Sequence, residues 1–229
     1  MVHCNMTIWL ASGNKHKQQE LAAILKGHTI KLPSEAGITN FDPEETGDAF
    51  AENALVKARA LFTVLHTSRQ HEPGPVLADD SGLCVDALGG KPGIYSARYY
   101  GKESWSADGF FIPKQDAAKL ADPERNALLL EELAACTAAS GQPAGAERKC
   151  RFVCAMVLLF SHDHFYLVQE TMEGEIVSSA AEIRGSGGFG YDPVVYLSEP
   201  GCTVAELPED KKNLLSHRGK AGRAIAKLL

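Results

Sequence analysis

Two adjacent carboxylates, Asp79 and Asp80, sit at the centre of the stretch P-V-L-A-D-D-S-G-L-C-V at residues 75–85. Val76-Leu77-Ala78 before them is apolar, and Ser81-Gly82 after them separates off a second apolar run, Leu83-Cys84-Val85. Ligand chemistry in α/β proteins collects where a buried strand surfaces at its carboxyl end. Carboxylates there, with a hydroxyl and a glycine beside them, suit a hard divalent cation such as Mg²⁺, which takes oxygen ligands and keeps several waters. Asp, Ser and Gly also form hairpin turns. Two readings therefore stand: a cation-binding strand end, or a turn between two short strands.

Other stretches carry groups suited to an anion or a flat ring. Ser12-Gly13-Asn14 breaks an apolar strand and precedes a helix, which aims backbone N–H groups and the positive helix end at an anion. Lys17 on the first helical turn adds a full charge. A plain strand-to-helix turn has the same pattern, and the G-x-x-x-x-G-K-[ST] loop of the common NTPases is absent. Asn53 and Lys57 lie one turn apart beside the apolar stripe of a second helix. The lysine there is either a charge at the rim of a cleft or a side chain reaching for water. The cluster Gly185-Ser186-Gly187-Gly188-Phe189-Gly190-Tyr191-Asp192 lets backbone approach a flat ligand with a ring to stack on it. It reads equally as a flexible loop with one buried phenylalanine. Lys212, His217 and Arg218 read on their own as a solvated face.

These groups need a frame. Hydrophobic period predicts buried strands at Thr7–Ala11, His28–Leu32, Arg151–Phe160 and Val194–Leu197. A partner strand is expected at Phe165–Glu170 across the turn His162-Asp163-His164, and an extended segment at Ile176–Glu182. Helices are predicted from Lys15 to near Gly27, over Asp48–Leu65, over Arg125–Ala135, after Leu207, and over Ala221–Leu229. Ser216-His217-Arg218-Gly219 reads as an interruption between the last two. Thr67–Pro75 and Thr137–Lys149 read as loops, and Gly101–Pro123 has no clear period. The alternation of strands and helices indicates an α/β protein with buried strands.

At 229 residues the chain can bury a full core. Its net charge of -6 argues against a general nucleic-acid or anionic-membrane binder, while a local basic cluster can still take a small anion. No basic n-region leads into a long apolar segment near Met1, and the longest apolar run, Phe152–Phe160, is too short to span a bilayer. The six cysteines form no C-x-x-C pair. Neither a zinc site nor a disulfide framework is expected, and a reduced cytoplasmic setting is.

In chain order the sequence carries S-G-N-K-H-K (12–17), E-E-T-G-D-A-F-A-E-N-A-L-V-K-A (44–58) and L-A-D-D-S-G-L (77–83). It continues with G-G-K-P-G-I-Y-S-A-R-Y (89–99), G-S-G-G-F-G-Y-D-P (185–193) and K-N-L-L-S-H-R (212–218). Together these resemble the inosine triphosphate pyrophosphatase family, enzymes that hydrolyse ITP, XTP and their deoxy forms to the monophosphate and pyrophosphate. The resemblance covers most of residues 7–100 and 151–227. Between Gly101 and Cys150 the chain departs from the pattern, and 101–123 reads as an insertion within one domain of two lobes.

The resemblance implies a long mixed β-sheet flanked by helices, with two lobes, a central active-site cleft and a homodimer. It implies Mg²⁺, with Mn²⁺ as an alternative ion, held by Glu45 and Asp80 with Asp79 close by. Asp80 would accept the proton of the attacking water, although nothing in the sequence separates base from metal ligand. Lys17 and Lys57 would serve the reaction, and the turn Ser12, Gly13, Asn14, Lys15, His16 and Lys17 would bind the triphosphate with Ser81. Asn53 would position Lys57 or contact a phosphate. Phe189 would stack on the base beside Gly190 and Tyr191, Asp192 would meet its edge, and Lys212, His217 and Arg218 would donate to its 6-oxo group. Two other readings remain: a pyrophosphatase for modified pyrimidine triphosphates, and a catalytically silent nucleotide-binding protein. The joint presence of Glu45, Asp80, Lys17 and Lys57 argues against the silent protein. No nucleic-acid or membrane partner is expected.

Overall fold

The computed structural model describes residues 5–67, 74–140 and 148–229. Its strands are β1 (Thr7–Leu10), β2 (Thr29–Lys31), β3 (Val76–Val85), β4 (Lys149–Ser161), β5 (His164–Ile176), β6 (Val195–Leu197) and β7 (Cys202–Thr203). They form one sheet in the order β2-β1-β3-β4-β5-β6-β7. β1 pairs in parallel with β2 and β3, whereas β6 pairs antiparallel with β5 and β7, so the sheet is mixed. The helices are α1 (Lys15–Ile24), α2 (Phe50–Thr67), α3 (Asp122–Ser140), α4 (Glu209–Leu215) and α5 (His217–Ala226). No described helix is long and apolar enough to cross a membrane.

The chain divides into two compact units. The first comprises Met1–Ser81, Val153–Thr171 and Asn213–Leu229; the second comprises Gly82–Phe152 and Met172–Lys212. In the first unit, side chains alternate across the strands with period two. Ile8, Leu10, Leu77, Met156 and Leu158 point to one face, where they pack with Leu21 of α1 and with Ala221 and Ile225 of α5. Trp9, Val76, Ala78, Ala155 and Val157 point to the other, against Ala54, Ala58, Leu61 and Leu65 of α2. A strand covered by helices on both faces needs apolar residues at every position. That is why the first half of β3 and the Phe152–Phe160 stretch of β4 read as continuous apolar runs rather than alternating ones.

In the second unit, Leu129 and Leu133 anchor α3 with no exposed surface. The G-I-Y-S-A-R element forms a 3₁₀ turn over Gly93–Arg98. Ser96 Oγ closes that turn by donating to the Gly93 carbonyl at 2.6 Å, and it accepts the Leu83 N–H at 2.8 Å. The turn is thereby tied to the second half of β3.

The structure departs from the expected elements in several places. Ser81-Gly82 is not a turn, because β3 runs unbroken through Asp79, Asp80 and Ser81 to Val85. Strand pairing and burial override the local turn preference of these residues. Beyond Ile176 the expected extended segment curls instead into a 3₁₀ turn at Ala180–Glu182. The Ser216–Gly219 interruption is a helix start: Ser216 Oγ accepts the Gly219 N–H at 3.0 Å, so His217 and Arg218 lie on the first turn of α5. α3 is longer than its period suggests and takes in Thr137–Ser140. The rest of that expected loop up to 147, and 68–73 of the Thr67–Pro75 loop, lie outside the described residues.

Candidate active site

Period two along β3 sends Asp79 and Asp80 to opposite faces of the sheet, and each meets a different set of cations. Asp79 points to the α1 and α5 face. Its Oδ1 accepts from Lys17 Nζ at 2.9 Å and its Oδ2 from Arg218 Nε at 3.1 Å, and its side chain has no exposed surface. Arg218 is itself buried, and its other nitrogens reach Glu20 Oε2 at 2.8 Å and Ser81 Oγ at 2.9 Å. Asp80 points to the α2 face. Its Oδ1 accepts from Lys57 Nζ at 2.6 Å, and the same ammonium donates to Glu45 Oε1 at 2.9 Å. Asp80 Oδ2 is buried without a hydrogen-bond partner.

Electrostatics separates the two carboxylates further. Burial works against the charge on Asp79, but the fields of Lys17, Arg218 and Lys57 overcome it and hold the carboxyl far below the usual range. For Asp80 burial wins over the Lys57 field, and its proton affinity is raised. Burial would lower Lys57, but Asp80, Asp79 and Glu45 together outweigh it and keep the ammonium charged. The adjacent aspartates are thus a permanently ionised anchor and a more basic carboxylate.

The depressed value at Asp79 ties stability to pH. A carboxyl whose folded pKa lies below its unfolded value of about 3.9 stabilises the fold fully above that value and ceases to as pH falls through the folded one. Between about pH 4 and pH 2 the wild-type protein is expected to lose thermal stability more steeply than Asp79→Asn. Melting temperatures across that range check this, and parallel curves would contradict it.

Local structure explains how the remaining residues are placed. Asn14 is the N-cap of α1: its Oδ1 accepts the His16 and Lys17 N–H groups at 2.8 and 3.4 Å, and Ser12 Oγ accepts the Asn14 N–H at 3.1 Å. Ser12 and Asn14 therefore build the turn, Lys17 projects to Asp79, and Gly13, Lys15 and His16 lie exposed along it. Asn53 is fully buried, and its Oδ1 accepts the Gly47 N–H at 2.8 Å. Glu52 accepts the Asp48 N–H at 2.8 Å. Together they pin the acidic loop that presents Glu45 to Lys57.

A second constellation lies in the second unit. Lys212 Nζ donates to Asp192 Oδ2 at 2.8 Å and sits 5.1 Å from the centre of the Phe189 ring. The Phe189 N–H donates to the same carboxylate oxygen at 2.9 Å. Gly188 makes this possible: it has φ 73°, and a side chain there would occupy the space of the Asp192 carboxylate and the Lys212 ammonium. Lys212 groups with Phe189, Gly190, Tyr191 and Asp192, whereas His217 and Arg218 are buried residues of the first unit.

The Ham1 family model matches residues 8–228. The chain belongs to the Ham1 family. A dITP/XTP pyrophosphatase of Treponema denticola is 43% identical over 224 residues, covering 98% of this chain and 98% of that protein. One from Geobacter sulfurreducens is 40% identical over 213 residues, covering 93% of this chain and 90% of that protein. Among solved structures, a HAM1 protein from Coxiella burnetii matches with a TM-score of 0.74 and 33% identity over 97% of this chain and 98% of that chain. The Ham1 protein of Staphylococcus aureus matches with a TM-score of 0.73 and 32% identity over 97% of each. The mixed, helix-flanked sheet expected from the sequence is the Ham1 fold.

The Ham1 site can be tested for a divalent ion on its own oxygens. Among the described residues no three His, Cys, Asp or Glu groups gather as a ready ligand cage. Two carboxylates suffice for Mg²⁺, which keeps most of its waters. Asp80 offers a buried unpartnered oxygen, and Glu45 shares its ammonium. These two fit the ion. Asp79, expected close by the ion, does not, because both of its oxygens already hold cationic nitrogens, and it anchors Lys17 and Arg218. The sequence reading missed Glu20, which completes the Arg218 contacts, and Glu52. Their only signal is spacing: Glu20 stands three residues after Lys17 on α1, and Glu52 adjoins Asn53.

Proposed function

We propose that this chain is a nucleoside triphosphate pyrophosphatase that hydrolyses dITP, ITP and XTP to the monophosphate and pyrophosphate, clearing non-standard purines from nucleotide pools. The observation that carries the reading is Asp80, a buried carboxylate with raised proton affinity, one oxygen held by Lys57 and the other unpartnered. The names of the similar proteins supply the substrate class.

Water attacks the α-phosphorus, and the bond from that phosphorus to the oxygen bridging to the β-phosphate breaks, releasing pyrophosphate. Asp80 takes the proton of the attacking water, and Lys57 keeps the carboxylate oriented through Oδ1. A divalent ion, Mg²⁺ in this reading, held by Glu45 and Asp80, would neutralise phosphate charge and make the water more acidic. The Ser12–Lys17 turn, with Lys17 and Ser81, binds the phosphates at the positive end of α1. Phe189 stacks on the base, and Asp192 and Lys212 meet its edge. A donor aimed at the 6-oxo group rejects adenine, whose amino group would leave it unpaired. A homodimer in a cytoplasmic setting completes the reading.

The test is hydrolysis of ITP, XTP, dITP, ATP, GTP and dUTP in parallel, with and without Mg²⁺, scoring pyrophosphate separately from orthophosphate. Mg²⁺-dependent pyrophosphate from ITP, dITP and XTP, with ATP and GTP nearly untouched, is the expected result. Orthophosphate release would mean the wrong bond, and preferred dUTP turnover would mean the wrong base class. Glu45→Gln is expected to raise the Mg²⁺ concentration for half-maximal turnover about tenfold. An unshifted Mg²⁺ titration would remove Glu45 from the ion site.

A further inference from the structure

α3 grips the glycine-rich loop through two side chains spaced four residues apart. Asp122 Oδ2 accepts the Gly190 N–H at 2.6 Å, and Asn126 Nδ2 donates to the Gly190 carbonyl at 3.1 Å. Gly190 has φ 66°, and with both of its peptide groups held, the chain direction from Phe189 into Tyr191 is set. Tyr191 then donates its hydroxyl to the Ser96 carbonyl at 2.9 Å, and Asp192 returns to cap the Phe189 N–H. The ring and the carboxylate assigned to the base thus take their positions from Gly190, and Gly190 takes its position from α3.

Asn126 is a costly choice for mere packing. It is 3% exposed, and its Oδ1 is buried with no hydrogen-bond partner. Leaving such an acceptor unpaired costs about 1–3 kcal/mol, which an apolar residue at the same place would avoid. What the amide adds is the bond to Gly190. Asp122 is likewise aimed: Arg125 Nη1 holds its Oδ1 at 3.1 Å, and Arg125 is anchored in turn on the Leu120 carbonyl.

We propose that Asp122 and Asn126 are positioning residues for base selection, acting through Gly190 on Phe189 and Asp192. The inference rests on the reading of Phe189, Asp192 and Lys212 as base-facing groups. It gives the α3 segment, which lies outside the motifs that carried the resemblance, a task at the site. A hydrogen-bonded base loses binding when its partners shift by about 1 Å, whereas a base that already leaves those partners unpaired has little to lose.

The test measures kcat and KM for ITP and ATP on the full chain with Mg²⁺. Asp122→Ala and Asn126→Ala are expected to lower the ITP:ATP ratio of kcat/KM by about tenfold or more, chiefly through KM for ITP. Asp122→Asn keeps an acceptor for the Gly190 N–H and is expected to retain most of the ratio. Asn126→Asp, equal in size but without the donor, repeats the loss should the alanine variant fail to fold. In a Phe189→Ala background, Asn126→Ala is expected to change the ratio little further, because both act on one element. An unchanged ratio, or an equal loss for both nucleotides, would overturn the proposal and leave Asp122 and Asn126 as fold residues. A wild-type protein with no preference for ITP would overturn the functional reading beneath it, a different and distinguishable failure.

Discussion

Asp80→Asn is expected to cut pyrophosphate release from ITP by about a thousandfold or more, with the protein still folded. The substitution keeps the shape of the side chain and an oxygen for Lys57, but removes the charge and the proton-accepting oxygen. Packing on the α2 face is untouched, so the melting temperature should change little compared with the loss of rate. Single-turnover pyrophosphate release, with nucleotide binding followed separately, checks this. Turnover within about tenfold of wild type would exclude Asp80 as the proton acceptor and move that role elsewhere in the site.

Arg218→Ala is expected to have the largest effect on stability. The guanidinium is 3% exposed, and each of its nitrogens has a partner: Nε on Asp79, Nη1 on Glu20 and Nη2 on Ser81. Removing it takes one of two hydrogen-bonded cations from a fully buried carboxylate and breaks the contact to Glu20. Breaking a buried ion pair from one side costs about 3–5 kcal/mol. In a chain of this size that is a fall in Tm of roughly 10 °C. Arg218→Lys retains the charge without the three-way fork and should fall between. A Tm within about 2 °C of wild type would show that Asp79 is neutralised some other way.

The sequence by itself determined the family and most of the elements that carry the site. Six ordered motifs, the hydrophobic period and the break at Ser12-Gly13-Asn14 are local signals, and local signals survive in one dimension. They placed Lys17 on the first turn of α1 and Lys57 on α2, as the structure has them. Which aspartate does what was decided only in three dimensions. Period two alone would have sent Asp79 and Asp80 to opposite faces, but only if the strand were known to continue. Asp, Ser and Gly argue locally for a turn, and what overrules them is burial under helices far away in the chain. Arg218 reaches Asp79 across 139 residues, and Lys17 reaches it across 62. The same limit hid the burial of Lys57, Lys212, His217 and Arg218, each of which reads locally as a charge reaching for water. It also hid the grip of Asp122 and Asn126 on Gly190, 68 and 64 residues away, because a side chain that bonds a distant backbone leaves no period or motif to read.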